Sequence, residues 1–262
     1  MSSSTSMHPK TSCSSCRLRD LCMPMGLNHE EMRQIDSMVS TRVKVPRGNY
    51  LYFAGGGFES LYAVRLGFFK TTLGAADGRE QVSGFYMAGD LLGLDGVANA
   101  LHTSNAIALE DSEVCVLHMQ AITDLSRHVH SLQHHVQKVM SREIVRDHDH
   151  MFMLGSMDAQ ARVASFLLQL LTRQHSRGQA SDALELRMTR EDIGSYLGLT
   201  IETVSRSLGK LTKNGIISVN LRSVRVLQPL ALHHAAEHAQ QPHCAQLVLH
   251  THAQQHLLAE TA

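Results

Sequence analysis

The sequence predicts an α+β chain: an N-terminal double-stranded β-helix (a jelly roll), one long helix, and a C-terminal winged helix-turn-helix. Three observations predict it. Between about 42 and 118, short apolar or alternating runs are separated by Gly- and Asp-rich turns. Residues 120–154 contain neither Gly nor Pro. Residues 189–228 read as helix cap, turn glycine, second cap and two short strands. The segments divide as 1–28, a polar cysteine-bearing arm; 29–119, the β-roll; 120–154, the long helix; 155–228, the winged helix-turn-helix; and 229–262, a His-rich tail.

The arm opens the chain as MSSSTSMHPKTSCSSC and lacks the apolar core of a secretory signal. Residues 29–40 follow as a short helix with Met32, Ile35, Met38 and Val39 on one face. Next come YLYFA, SLYAVR, FFKTTL, REQVSGFY and SEVCVLHM, the text of many short strands. Gly55-Gly56-Gly57, Asp77-Gly78 and Ala88-Gly89-Asp90 punctuate them as turns, none followed by the Lys-Ser/Thr of a phosphate loop. Regular spacing of such strands points to a sandwich or roll.

In the long helix Met140, Ile144, Asp147, Met151 and Leu154 recur at spacings of 4, 3, 4 and 3. That is a heptad seam, suited to pairing with a second copy of the chain. Packing on its own domain is the competing reading. Gly155-Ser156 marks a hinge, after which Val163, Phe166, Leu167, Leu170 and Leu171 form the stripe of another helix over 158–175.

The segment MTREDIGSYLGLTIETVSRSLGKLTKNGII carries the strongest local signal. Thr189 caps a first helix, with Asp192 completing a capping-box pattern. Gly198 ends that helix in a left-handed position, and Thr200 caps the next. Val204, Leu208 and Leu211 must point inward, which leaves Glu202, Ser205 and Arg206 on the outer face. Such residue types read base edges: Arg bonds both guanine acceptors, Glu accepts from cytosine, and Ser serves base or phosphate. Arg190, Lys210 and Lys213 would meet phosphates, as would Arg222 at the tip of the IISVNLRSVRVLQP wing.

Charge agrees with a divided chain. Formal net charge is zero, yet residues 156–230 carry 10 Lys+Arg against 6 Asp+Glu, while 1–155 carry 14 against 16. No apolar run reaches membrane-spanning length, so no membrane partner is expected. A chain without signal or span is expected in the cytoplasm, where thiols stay reduced and clustered cysteines point to metal or redox chemistry. Cys13-x2-Cys16-x5-Cys22 lies in the arm, and Cys115 on the last strand of the roll. Four thiolates satisfy either zinc or an iron–sulfur cluster, and spacing leaves both open. An enzyme would need an acid–base pair or a nucleophile constellation, and none is legible.

LTIETVSRSLGKL resembles the recognition helix of the CRP/FNR family of bacterial regulators, and LYAVRLGFFKT with GFYMAGDLLGLD resembles its β-roll. The resemblance covers nearly the whole ordered chain. It implies a sensory roll, a dimerising helix and a DNA-binding domain in a homodimeric transcription regulator. Glu202, Ser205 and Arg206 match the E-x-x-S-R motif by which the FNR branch reads an inverted repeat of the TTGAT…ATCAA type. The turn Asp77–Glu80 corresponds to a loop implied to touch RNA polymerase. Cyclic-nucleotide members use G-E-[LIV] and R-[ST]-A motifs; here stand Gly93-Leu94-Asp95 and His102-Thr103-Ser104-Asn105-Ala106, without the phosphate-pairing Arg, so no cyclic nucleotide is expected.

The same resemblance assigns Cys13, Cys16, Cys22 and Cys115 to a 4Fe–4S cluster that makes the regulator oxygen-responsive, with a family member sensing nitric oxide, haem or another metal as the alternative. Cys244 matches no family position. Arg17 and Arg19, between Cys16 and Cys22, would either stabilise the cluster or be solvated loop residues, and the solvated reading is preferred. Met140, Ile144, Asp147 and Met151 form the expected dimer interface. Two Asp147 carboxylates about 5 Å apart repel by roughly 3 kcal/mol at an effective dielectric near 20, so the dimer would be marginal and the clamped arm would tip it. Seven of the 18 histidines fall in 231–262, read as a partly disordered extension.

Overall fold

The computed structural model describes residues 13, 16, 18, 22, 27–75, 78–179 and 181–237, with side chains at 38 and 40 left out. The expected α+β architecture is present. Asn28 opens α1 (His29–Met38) through a capping box with Glu31. Met32 and Ile35 are buried as the periodicity required. The roll follows as β1 (Val39–Val45), β2 (Tyr50–Tyr52), β3 (Ser60–Leu66), β4 (Phe68–Gly74), β5 (Glu80–Met87), β6 (Leu91–Leu92), β7 (Asn105–Ala108) and β8 (Ser112–His118). These strands form two four-stranded antiparallel sheets, ordered β1-β8-β3-β6 and β2-β7-β4-β5.

Strand alternation builds two separate apolar layers from the first sheet. Val45, Val64 and Val114 face Phe69, Ala106 and Ala108 of the second sheet. Leu61, Ala63 and Leu117 point the other way, against Ile35, Ile122, Val129 and Leu132 of the helices. Cys115 lies on that outer face, two residues from Leu117.

The segment expected as one helix is two. α2 (Met119–Ser126) and α3 (His130–Ser156) are broken at Arg127–Val129. Val129 leaves helical geometry and is 2% exposed, so the break sinks it into the cluster beside Ile122 and Leu132. No Gly or Pro marks it because burial, not backbone chemistry, imposes it. The expected hinge also shifts. α3 runs through Gly155 to Ser156, and the chain turns at Met157–Asp158. Met157 is buried there, and Asp158 caps α4 (Ala159–His175) by accepting from the N–H groups of Gln160 and Ala161.

The last unit contains β9 (Ala183–Glu185), α5 (Arg190–Leu197), α6 (Ile201–Lys213), β10 (Ile217–Asn220), β11 (Ser223–Val226) and α7 (Pro229–Glu237). Its strands form one antiparallel sheet, β10-β11-β9. Its core of Phe166, Leu167, Leu197, Val204 and Leu211 is continuous with Phe68, Val82 and Phe85 of the roll. The unit is therefore packed on the roll of its own chain. His150 of α3 stacks on Tyr196 of α5 at 3.9 Å and contacts its carbonyl at 2.8 Å. Among the described residues, no helix is long and apolar enough to cross a membrane.

Candidate metal centre and nucleic-acid interface

Cys13, Cys16, Cys22 and Cys115 line one small cavity of about 30 Å³ between the arm and the outer face of the first sheet. The fold supplies each wall. Cys115 is central in its sheet, with Arg42 of β1 and Ala63 of β3 as its cross-strand neighbours. A turn closed by the Cys16 N–H on the Cys13 carbonyl presents the first two thiols. The Cys13 N–H donates to Asp36 of α1 at 2.5 Å, fixing the arm to that helix. Cys22 is tied to the long helix through its backbone and the His135 ring. Residues 17 and 19, expected beside the ligands, lie outside the described residues, as do Cys244 and the tail beyond 237.

Electrostatics bear on what the cavity can hold. Burial, then the neighbouring Cys115, pushes the Cys13 thiol up to about 12. Burial, then Cys16, pushes Cys22 up to about 12. Burial also raises Cys115, against the charge and hydrogen bond of Arg42. Four thiolates crowded together out of water repel, which favours the protonated thiols and would equally be relieved by a cationic guest. Among the described residues, no three His, Cys, Asp or Glu converge as a single-ion site. The four cysteines border this void and offer four sulfur donors to a metal guest.

A further cavity lies between the second sheet and α3, bordered by Tyr52, Ser83, Asp95, Ser104, Glu143 and Asp147. Here Asp95 is turned onto the 102–104 loop. Its carboxylate accepts from the N–H of Thr103 at 2.9 Å, the N–H of Ser104 at 3.0 Å and the Ser104 hydroxyl at 2.9 Å. His102, 2% exposed, stacks on Tyr52 at 3.8 Å and lies 3.3 Å from the same carboxylate. An anion of the chain itself thus holds the loop donors, and among the described residues no Arg lines this cavity. Sequence reasoning noted Asp95 only as a departure from a motif, because its partners lie eight and nine residues away.

In the helix-turn-helix each expected device is in place. Thr189 and Asp192 form the capping box of α5. Gly198 ends α5 at φ +62°, a conformation that favours glycine. Gly194 was missed: a Cβ there would meet the Leu199 carbonyl at 2.6 Å, so the tight turn needs its hydrogen. Thr200 caps α6, whose Val204, Ser207, Leu208 and Leu211 are buried. Glu202 and Arg206 are exposed, and Ser205 is half-buried. Arg190 donates to the Ser205 hydroxyl at 2.8 Å, and Arg206 to Thr203 at 3.1 Å. The Glu202 carboxyl is held below its ordinary range by its own backbone N–H and the Thr200 hydroxyl. Lys210, Lys213 and Arg222 are exposed nearby.

Met140, Ile144, Asp147 and Met151 of α3 lie together on an exposed face, with Met151 61% and Ile144 54% accessible. Val145 and Phe152 add a second exposed apolar pair that the heptad count passed over. Asp77 of the expected polymerase-facing turn is outside the described residues.

Residues 161–235 match the Crp-like helix-turn-helix domain, and residues 42–128 match the cyclic nucleotide-binding domain. The chain is 43% identical over 215 residues to the "Transcriptional regulatory protein btr" of Bordetella pertussis, covering 82% of this chain and 89% of that one. It is 39% identical over 220 residues to the "Anaerobic regulatory protein" of Pasteurella multocida, covering 84% and 81%. Its fold is similar to the solved structure of FixK2 from Bradyrhizobium japonicum, with a TM-score of 0.70, 28% identity and coverage of 78% and 98%. With a roll, a long helix and a winged helix-turn-helix in this order, the chain belongs to the CRP/FNR family of DNA-binding transcription regulators, which are not enzymes.

Proposed function

We propose that this regulator is oxygen-responsive and controls anaerobic metabolism, with a 4Fe–4S cluster held by Cys13, Cys16, Cys22 and Cys115. The observation that carries the reading is the convergence of all four thiols on one cavity, three from the arm and one from the sheet. The Pasteurella multocida relative, named an anaerobic regulatory protein, supports it. When bound, the cluster supplies an oxygen-labile crosslink between arm and roll.

The chain's own residues do the rest. Asp36 and His135 fasten the arm to α1 and α3 by its Cys13 and Cys22 backbones. Arm and long helix are thereby coupled, and α3 carries Met140, Ile144, Asp147 and Met151 for pairing with a second copy. A homodimer presents two α6 helices, which suits an inverted repeat of the TTGAT…ATCAA type. Glu202, Ser205 and Arg206 would read it, and the turn at Asp77–Glu80 would meet RNA polymerase.

Anaerobically purified protein should be brown, contain about four irons and four sulfides per chain, and bleach in air. Serine at any of the four positions should abolish the colour. Colourless protein carrying one zinc per chain would overturn the cluster and leave DNA binding intact.

A further inference from the structure

The outer face of the first sheet carries a second charged group that the four-cysteine reading does not use. Glu113 lies two residues before Cys115 on β8 and accepts from Arg65 Nη1 at 3.0 Å. Arg42 Nε lies 3.7 Å from the same carboxylate oxygen. The three side chains are largely withdrawn from water, with exposures of 28% for Arg42, 32% for Arg65 and 14% for Glu113. Arg42 is the register partner of Cys115, and Arg65 lines the cysteine cavity itself.

Among the described residues two cations meet at this one carboxylate, and Arg42 also hydrogen-bonds Cys115, which places positive charge beside the thiols. Moreover, the Nε atoms of Arg42 and Arg65 are both buried with no hydrogen-bond acceptor among the described residues. A buried donor without an acceptor is costly, and guanidinium pairs are seldom left that way without a use. An anionic acceptor on the cysteine side of the sheet would satisfy them.

We propose that Arg42 and Arg65, yoked by Glu113, are the counter-cations of the cluster and set how readily it is oxidised. This rests on the cluster reading. Cations beside an anionic iron–sulfur centre favour its more reduced, more negative form. Their hydrogen bonds to sulfur act in the same direction. Glu113 opposes them and tempers their field. Arg42 and Arg65 are positioning and tuning residues here, not ligands.

The test uses anaerobically reconstituted full chains of wild type, Arg42→Gln, Arg65→Gln, Glu113→Gln and Arg42→Lys, each assayed for iron, sulfide, reduction potential and bleaching rate in air-saturated buffer. Arg42→Gln and Arg65→Gln should lower the potential and bleach severalfold to about tenfold faster. Glu113→Gln should do the reverse on both counts, and Arg42→Lys should stay near wild type in potential. Opposite signs for the arginine and glutamate variants are something a merely structural role cannot produce. Uniformly faster bleaching in all variants, or no change in any, overturns the proposal while the cluster stands. Wild-type protein that takes up no iron and sulfide overturns both.

Discussion

Arg177, just past the end of α4, reaches Asp90 of the roll, its Nη2 lying 2.6 Å from the carboxylate across 87 residues of sequence. Arg173 joins the same carboxylate at 2.5 Å, and Arg146 of α3 at 3.7 Å. Arg173 and Arg177 also donate to the carbonyls of Phe85 and Ala88. One buried anion thus joins the sensory roll, the long helix and the DNA-binding unit. Burial pushes the Asp90 carboxyl up, but Arg173, Arg177 and Arg146 outweigh it and hold it below the ordinary range. Asp90→Ala leaves three guanidiniums facing an uncharged site and should cost about 3–5 kcal/mol in chemical denaturation. It should also expose the Met157–Asp158 turn to proteolysis. Native-like stability and protease resistance would show that the apolar core alone holds the halves together. Because the folded pKa is depressed, this stability is present above the unfolded carboxylate value and is lost as pH falls through the folded one.

Asp147 lies among exposed Met140, Ile144 and Met151 on α3. A salt bridge from the partner's long helix is the competing role for this carboxylate. Of the two candidates, Arg146 is engaged with Glu143 and Asp90 of its own chain, whereas Arg142 is exposed and stays open as a partner. Asp147→Ala should strengthen self-association in protein lacking the cluster, by roughly 3 kcal/mol if two carboxylates had met near 5 Å. Sedimentation in air measures it, and a variant that stays monomeric removes Asp147 as the brake.

How far the sequence reads depends on the range of each interaction. The helix-turn-helix was legible because its devices are local. Thr189 and Asp192 are three residues apart, and Gly198 and Thr200 follow at fixed offsets. The break at Arg127–Val129 was not legible, since it is set by burying Val129 against Ile122 and Leu132 rather than by a breaker residue. Nor was the Asp90 latch, whose arginines lie 83 and 87 residues away. The arm cysteines announce themselves by spacing. Cys115 reads as an ordinary strand residue until β8 is paired and its face is known.

Asp95 takes the donors of the 102–104 loop, so the roll should bind no cyclic nucleotide in isothermal titration. Measurable binding at micromolar concentration would show that the carboxylate yields. Burial raises the Asp95 carboxyl, but hydrogen bonds from Ser104, His102 and Thr103 hold it below its ordinary range. Asp95→Ala strands the Thr103 and Ser104 N–H groups and should destabilise the roll by about 2 kcal/mol. That difference should shrink as pH falls below the ordinary carboxylate range and through the depressed folded value, where the wild-type carboxylate itself becomes protonated. A pH-independent difference would assign it to packing instead.

On α6 the exposed charges should separate into two kinds when binding to a TTGAT…ATCAA duplex is measured across salt. Arg206 is exposed on the first turns, where a groove-bound helix meets base edges. Arg206→Ala should lose about 1–3 kcal/mol and relax preference at one base pair of each half-site. Lys213 lies in the last turn. Lys213→Ala should weaken binding to all sequences alike and reduce the salt slope by about 1 per chain. Arg190→Ala tests the link between them, since Arg190 fixes the Ser205 hydroxyl at 2.8 Å from the neighbouring helix. It should lower affinity through both a lost phosphate contact and a freed Ser205, and so change salt slope and base preference together. Should Arg206→Ala weaken specific and random duplexes equally, Arg206 is a phosphate contact and the reading of α6 must be reassigned to Glu202 and Ser205.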